Sequence, residues 1–229
     1  MKKQYDLSIT LDFLKKIKRN NNREWFTENK SSYLQAYDQM VAFADTLLTE
    51  MNKQDVIETP SGKKSVFRIY NDVRFSKDKS PYKNHLGGAF RRATKQLRGG
   101  YYYHIEPGNT YVGGGFFAPN PEDLLHIRQH IAANPDSLRK IVKTADFKKT
   151  FDSLLGEQLK TAPKGFSVED PGIEFIRYKQ FILKHTFSNE DILKPDFHIL
   201  VAKTFHKMRP FLNYMSEILT TDLNGEPLI

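Results

Sequence analysis

The apolar residues of this chain change their period twice, and that change limits what the chain can fold into. Leu11, Phe13, Leu14 and Ile17 recur at helical spacing, as do Trp25, Phe26, Tyr33, Tyr37, Met40, Val41, Ala44, Leu47, Leu48 and Met51. The pattern predicts a first helix capped by Ser8 or Thr10 and a second from about Arg23 to Lys53, parted by Asn20-Asn21-Asn22. After the Thr59-Pro60-Ser61-Gly62 turn the period falls to two. Val66–Phe75 alternates, with Phe67, Ile69, Val73 and Phe75 on the apolar side. Residues 85–92, 101–106 and 111–117 read as further strands, the last two a hairpin around Pro107-Gly108-Asn109. From Asn120 the helical period returns, with helices expected near 121–132, 135–142, 146–155 and 195–220, and Pro210 placed to kink the last. A helical turn at 173–178, a last strand at 181–185 and a Ser188 cap complete the pattern. Helices on both sides of a run of strands give an α+β class: a mainly antiparallel central sheet covered by helices from both termini, in a single domain over residues 1–229.

Composition narrows the class further. The chain has 229 residues, 39% apolar and 13% aromatic, which argues against disorder. No apolar run reaches the ~18 residues of a membrane span, and the first residues lack the apolar stretch of a secretory signal. The expectation is a soluble, cytoplasmic protein with no membrane partner. Cysteine is absent, which excludes disulfides, thiolate metal sites and thiol nucleophiles. The net charge of +8 is concentrated: residues 61–100 hold eleven basic residues against Asp72 and Asp78, while the rest of the chain is near neutral. A local positive field of that kind suggests an anionic partner, and a plainly solvated loop is the alternative.

If 66–75 is a strand, Arg68, Tyr70, Asp72 and Arg74 line one face of it. His85, Tyr102, His104 and Glu106 then fall on alternating positions of the next strands, opposite Leu86, Phe90, Tyr103 and Ile105. A small anionic ligand, phosphate- or carboxylate-bearing, would suit the Arg68 and Arg74 forks, with Tyr70, Lys83, His85 and Tyr102 around it. His104 or His85 would act as acid or base near neutral pH, oriented by Asp72 or Glu106. Gly87, Gly88 and Gly113-Gly114-Gly115 would let a ligand approach the backbone, or would serve sheet bulging instead. Whether such a site turns over a substrate is left open.

Other readings compete. The cations interleaved with Phe67, Tyr70, Phe75, Tyr82, Phe90 and Tyr101–Tyr103 suit nucleic acid, although the three phenylalanines are expected in the core. A non-enzymatic protein-interaction domain is the third reading. His104-x-Glu106 with His85 or Asp72 is a weak metal pattern, and His126 and His130, one helical turn apart, are more often surface or core residues than ligands. No metal is assigned. Asp72 and Arg74 also suit a plain cross-strand ion pair. The phosphate loop, dinucleotide fingerprint, nucleophile elbow and zincin helix are all missing, so no cofactor is named.

The runs Phe67–Lys83, Gly100–Gly108 and Val112–Gly115, with Asn21–Phe26 and Ala162–Phe166, resemble the DUF2461 family of uncharacterised proteins. The resemblance spans about residues 8–220. It implies one domain and carries no activity, substrate or catalytic residue.

Overall fold

A computed structural model describes residues 5–228. In chain order the elements are α1 (Leu7–Arg19), α2 (Arg23–Glu28), α3 (Lys30–Met51), α4 (Gly62–Ser65), β1 (Leu86–Arg91), β2 (Gly100–Ile105), β3 (Thr110–Phe116), α5 (Pro121–Ala133), α6 (Pro135–Lys143), α7 (Ala145–Phe151), α8 (Ile173–Ile176), β4 (Phe181–Phe187), α9 (Asn189–Ile192) and α10 (Phe197–Ile218). The strands form one antiparallel sheet in the order β1-β2-β3-β4, and the class is α+β. No helix of the described residues is long and apolar enough to cross a membrane.

The chain divides into two compact units. The first holds the residues up to Phe90 with Tyr102–Val112 and Thr186–Lys203; the second holds Arg91–Tyr101, Gly113–His185 and the residues from Thr204 on.

In the first unit, α1 buries Leu11, Phe13, Leu14 and Ile17, the expected face. Its cap is Asp6, whose carboxylate accepts from Ser8 N–H, rather than Ser8 or Thr10. Each of the three asparagines after α1 has its own task. Asn20 closes α1, and Asn22 caps α2 by accepting from Trp25 N–H at 2.9 Å. Asn21 grips Tyr82 from both sides: its Nδ2 donates to Tyr82 O at 2.8 Å, and its Oδ1 accepts from Tyr82 N at 3.1 Å. The expected single helix 23–53 is two, because Asn29 leaves helical geometry at φ −102°, ψ 18°. Phe43 of α3 is the centre of the core. It lies edge-on to Tyr5 and Tyr103 and stacks on Phe197 at 5.6 Å.

The 66–75 segment is not a strand. It runs beside 81–88 through two isolated bridges, Val66 with Gly88 and Tyr70 with Tyr82. Main-chain bonds join the two stretches at Phe67 N to Gly87 O, Asn71 N to Pro81 O and Lys83 N to Ile69 O, and side chains take the alternate carbonyls in between. Asn71 Nδ2 donates to Ser80 O and Tyr82 O, and Lys83 Nζ donates to Arg68 O and Tyr70 O. Ile69 is buried as expected, but Phe67 is 48% and Phe75 96% exposed, so neither is core.

In the second unit α10 supplies Phe205, Met208, Phe211, Leu212 and Met215, and Phe205 packs on Tyr101 at 4.8 Å. The helix runs through Pro210. The carbonyl that Pro210 leaves without its usual donor is that of His206, and both residues face solvent. Arg92 is 2% exposed; its guanidinium donates to Asn213 Oδ1 at 2.6 Å, to Ser216 Oγ and to Arg98 O.

The glycines admit the protein's own groups. A Cβ at Gly87 would meet Tyr103 O at 2.7 Å, and one at Gly114 would meet Met208 Sδ at 2.6 Å. At Gly88 it would strike the Tyr103 hydroxyl and Ser65 O, where Ser65 and Tyr103 share a buried hydrogen bond. Neither group is a flexible chain end, so neither yields easily. Gly88→Ala is expected to lower stability by about 1–3 kcal/mol, read as the denaturant midpoint; an unchanged midpoint would mean that this contact relaxes freely.

Candidate functional site

The first unit carries a polar cluster built on β2. Tyr103 and Ile105 point into the core, which turns Tyr102, His104 and Glu106 to the other face. The turn that follows is closed by Asn109 N and Thr110 Oγ1, both donating to Glu106 O. Gly108 takes φ +78°, which the turn requires and glycine permits.

Three side chains of alternate residues form a hydrogen-bonded line. His104 Nε2 lies 3.1 Å from Glu106 Oε2, and His104 Nδ1 lies 2.9 Å from the Tyr102 hydroxyl. An ionised Glu106 accepts from a protonated Nε2, while Nδ1 accepts from Tyr102 in the neutral ring and donates to it in the imidazolium. Asn109 Nδ2 donates to the same Glu106 oxygen at 2.8 Å, and Lys18 of α1 sits 3.9 Å from the other. Burial raises the Glu106 carboxyl. The hydrogen bonds from Asn109 and His104, with the charges of His104 and Lys18, outweigh it and hold the group below its usual range. Burial pushes the Tyr102 phenol well up, helped by Tyr111.

His104 is 5% exposed because rings cover both of its faces. His85 stacks on it at 4.0 Å, and Tyr111 of β3 stacks on it at 4.4 Å. His85 itself is half-buried. Desolvation, then the charges of His104 and Lys83, lower its pKa from 6.5 to about 4 against the opposing pull of Glu106. The ring is therefore neutral at pH 7. Neither of its nitrogens has a hydrogen-bond partner among the described residues. The chain around His85 is set by Asn21, whose Nδ2 also reaches Asn84 Oδ1, and by Phe26, which stacks on Tyr82 at 4.0 Å.

His85, Tyr102, His104 and Glu106 thus come together as the alternation predicts. Lys83 and Arg68 lie nearby: Lys83 Nζ bonds Arg68 O at 2.7 Å, and burial followed by the Arg68 charge lowers the Lys83 pKa. The Arg68 guanidinium has no hydrogen bond or ion pair among the described residues. Tyr70, 47% exposed, packs against Phe26 and Tyr82. Asp72 and Arg74 are a different matter. Their alignment with the cluster depended on a strand that does not form. Arg74 Nε and Nη2 fork onto Asp72 at 2.9 and 2.7 Å, an exposed pair two residues apart, not a cross-strand one. That pairing holds the Asp72 carboxyl below its usual range and occupies the guanidinium. Gly87, Gly88 and Gly113–Gly115 face the protein's own backbone and side chains.

Tyr111, Asn109 and Lys18 belong to the cluster without having been named from sequence. Counting outward from the Pro107-Gly108-Asn109 turn would have placed Tyr111 opposite His104. Lys18 arrives from a distant helix and leaves no local signal.

The model of one family, described as a conserved hypothetical protein (DUF2461), matches residues 9–214. The chain is a member of the DUF2461 family. Comparison with curated proteins and with solved structures gives no match. Family membership thus accounts for most of the chain, and the chemistry of the DUF2461 member has to be argued from its side chains.

The neutral His85 makes stability pH-dependent. Below pH 6.5 the unfolded imidazole takes a proton that the folded one refuses until about pH 4. The unfolded state binds more protons in that window, so this contribution is complete above pH 6.5 and is lost as the pH falls through the window. His85→Gln is expected to remove about 3 kcal/mol of that fall. Unfolding free energies of parent and variant at pH 4–7 test this; identical slopes would show that the ring is not held neutral.

Proposed function

We propose that this protein binds a small anionic ligand, phosphate- or carboxylate-bearing, against His85, with Arg68 and Lys83 supplying positive charge. One observation carries the reading: a half-buried, neutral imidazole with no hydrogen-bond partner among the described residues, fixed by stacking on the His104 relay and close enough to Lys83 to feel its charge. A histidine held this firmly has lost ring freedom in advance, which favours ligand contact. His104 is a positioning residue in this scheme, because both of its nitrogens and both of its faces are engaged. Glu106 and Tyr102 fix its tautomer. Acid–base work on the ligand falls to His85, whose ring is unprotonated at neutral pH and becomes a stronger base once a bound anion raises its pKa. The Asp72–Arg74 pair stands outside this site.

An anion beside His85 favours its imidazolium, so binding takes up a proton and tightens as the pH falls through the pKa of the complex, which lies above the value of about 4 in the free protein. The test is a thermal-shift and calorimetric screen of phosphate, sugar phosphates and dicarboxylates at pH 5.5 and 7.5. A ligand at ~100 times its dissociation constant adds ~2.7 kcal/mol. The expected result is a shift from one class, larger at pH 5.5, and weakened about tenfold by Arg68→Ala. A shift that Arg68→Ala and His85→Gln leave intact, or none from any anion, would sink the proposal.

A second reading rests on exposure. Phe67, Tyr70 and Phe75 stand out of the 66–83 segment among Arg68, Lys77 and Lys79, the composition of a stacking and phosphate-gripping surface for single-stranded nucleic acid. Oligonucleotide binding that weakens steeply with salt, and that Phe75→Ala reduces, would favour this reading over a small ligand.

A further inference from the structure

The second unit holds a convergence of donor atoms that the anion reading does not use. His126 and His130 lie on one face of α5, four residues apart, and both rings turn their Nε2 to the same place. The two nitrogens are 3.1 Å apart. The Thr221 carbonyl oxygen, from the chain beyond α10, is 2.9 Å from His126 Nε2 and 3.2 Å from His130 Nε2. Three donors therefore form a nearly equilateral triangle.

Protons cannot satisfy all three edges. If both Nε2 atoms carry hydrogens, each donates to Thr221 O, and the edge between the nitrogens is two N–H groups facing one another. If only one carries a hydrogen, the lone pair of the other faces a carbonyl oxygen. A cation bound to all three removes the conflict. Bonds of about 2.0–2.2 Å from a divalent ion, at about 90–109° to one another, give donor separations of about 2.8–3.6 Å. All three edges fall in that span. Burial and the neighbouring His126 lower the His130 pKa, with the Thr221 carbonyl and the charges of Asp222 and Glu217 pulling the other way. No group of three or more His, Asp or Glu side chains suited to a metal occurs among the described residues. The third donor here is a main-chain carbonyl.

We infer that His126 Nε2, His130 Nε2 and the Thr221 carbonyl form a site for a divalent transition-metal ion of the kind imidazole suits, Zn²⁺ foremost. Two imidazoles and one carbonyl leave at least one coordination position to water, so the ion is exchangeable and open to a further ligand. Binding fastens the segment beyond α10 to α5 through Thr221. All three donors belong to the second unit, whereas His85, Arg68 and Lys83 belong to the first. The two ligand sites therefore stand or fall separately.

The experiment is equilibrium dialysis of the untagged full chain against Zn²⁺, with long-range ¹H–¹⁵N spectra of the histidine rings. The expected result is one Zn²⁺ per chain, with Nε2 of both His126 and His130 shifting on addition. His126→Gln and His130→Gln should each weaken binding by roughly tenfold or more. His206→Gln, at an exposed position of α10, should leave it unchanged. No retained ion, retention that both single replacements leave intact, or shifts confined to other histidines would overturn the inference. The spectra of the parent decide the matter even if a variant folds poorly.

Discussion

The structure of the site depends on the two-residue alternation of β2. Tyr103 and Ile105 are buried on one side, and Tyr103 is locked there by Phe43, Phe90 and the Ser65 hydroxyl. With that row fixed, Tyr102, His104 and Glu106 have only the opposite face available. A slip of one residue would exchange the two rows and place a carboxylate and an imidazole against Phe43. The apolar packing of the core thus does double work, holding the sheet and setting the geometry of the polar line. The remaining parts arrive as rings: His85 from one side and Tyr111 from the other. Because His104 is buried by aromatic faces, not by aliphatic chains, it keeps both nitrogens for hydrogen bonds while being shielded from water.

The basic segment turns out to be several populations of charge. Arg92 is a core residue that satisfies carbonyl and hydroxyl oxygens, and Arg98 forms an ion pair with Asp123 at 2.6 Å. Arg74 is spent on Asp72, and Lys79 donates to Val73 O. Lys83 replaces a missing strand partner by capping two carbonyls. Arg68 has no ion pair within bonding distance among the described residues, and its charge acts on Lys83 and on Asp72. A formal charge counted along the chain therefore overstates the field available to an incoming anion, and it is the identity of the uncommitted cation that matters.

Period and turn chemistry made much of the fold legible. The 101–106 and 111–117 hairpin, the Asn120 and Ser188 caps, the apolar face of the last helix and the strand after residue 180 all follow from local rules. Failures came where side chains competed with the backbone. The pairing of 66–71 with 81–88 stays at isolated bridges, with the Asn71 and Lys83 side chains on the alternate carbonyls, and Asn29 broke a helix whose apolar face continues on both sides. The candidate site was legible in the residues that alternate on β2 and in His85. It was illegible in Asp72 and Arg74, whose inclusion assumed that strand geometry continued past Asn71. Asn21 shows the same limit from the other side: its grip on Tyr82 joins residues 61 apart, and a run of three asparagines reads locally as helix punctuation.

The chain has one tryptophan, Trp25, on α2 in the first unit, half-buried and 6.1 Å from the Phe13 ring. Intrinsic indole fluorescence therefore reports on that unit alone. The second unit, with its tyrosines and phenylalanines, is silent at the same wavelengths. An emission curve followed against denaturant describes the loss of the α1–α2 surroundings, and only its agreement with a backbone probe would license reading it as the unfolding of the whole chain.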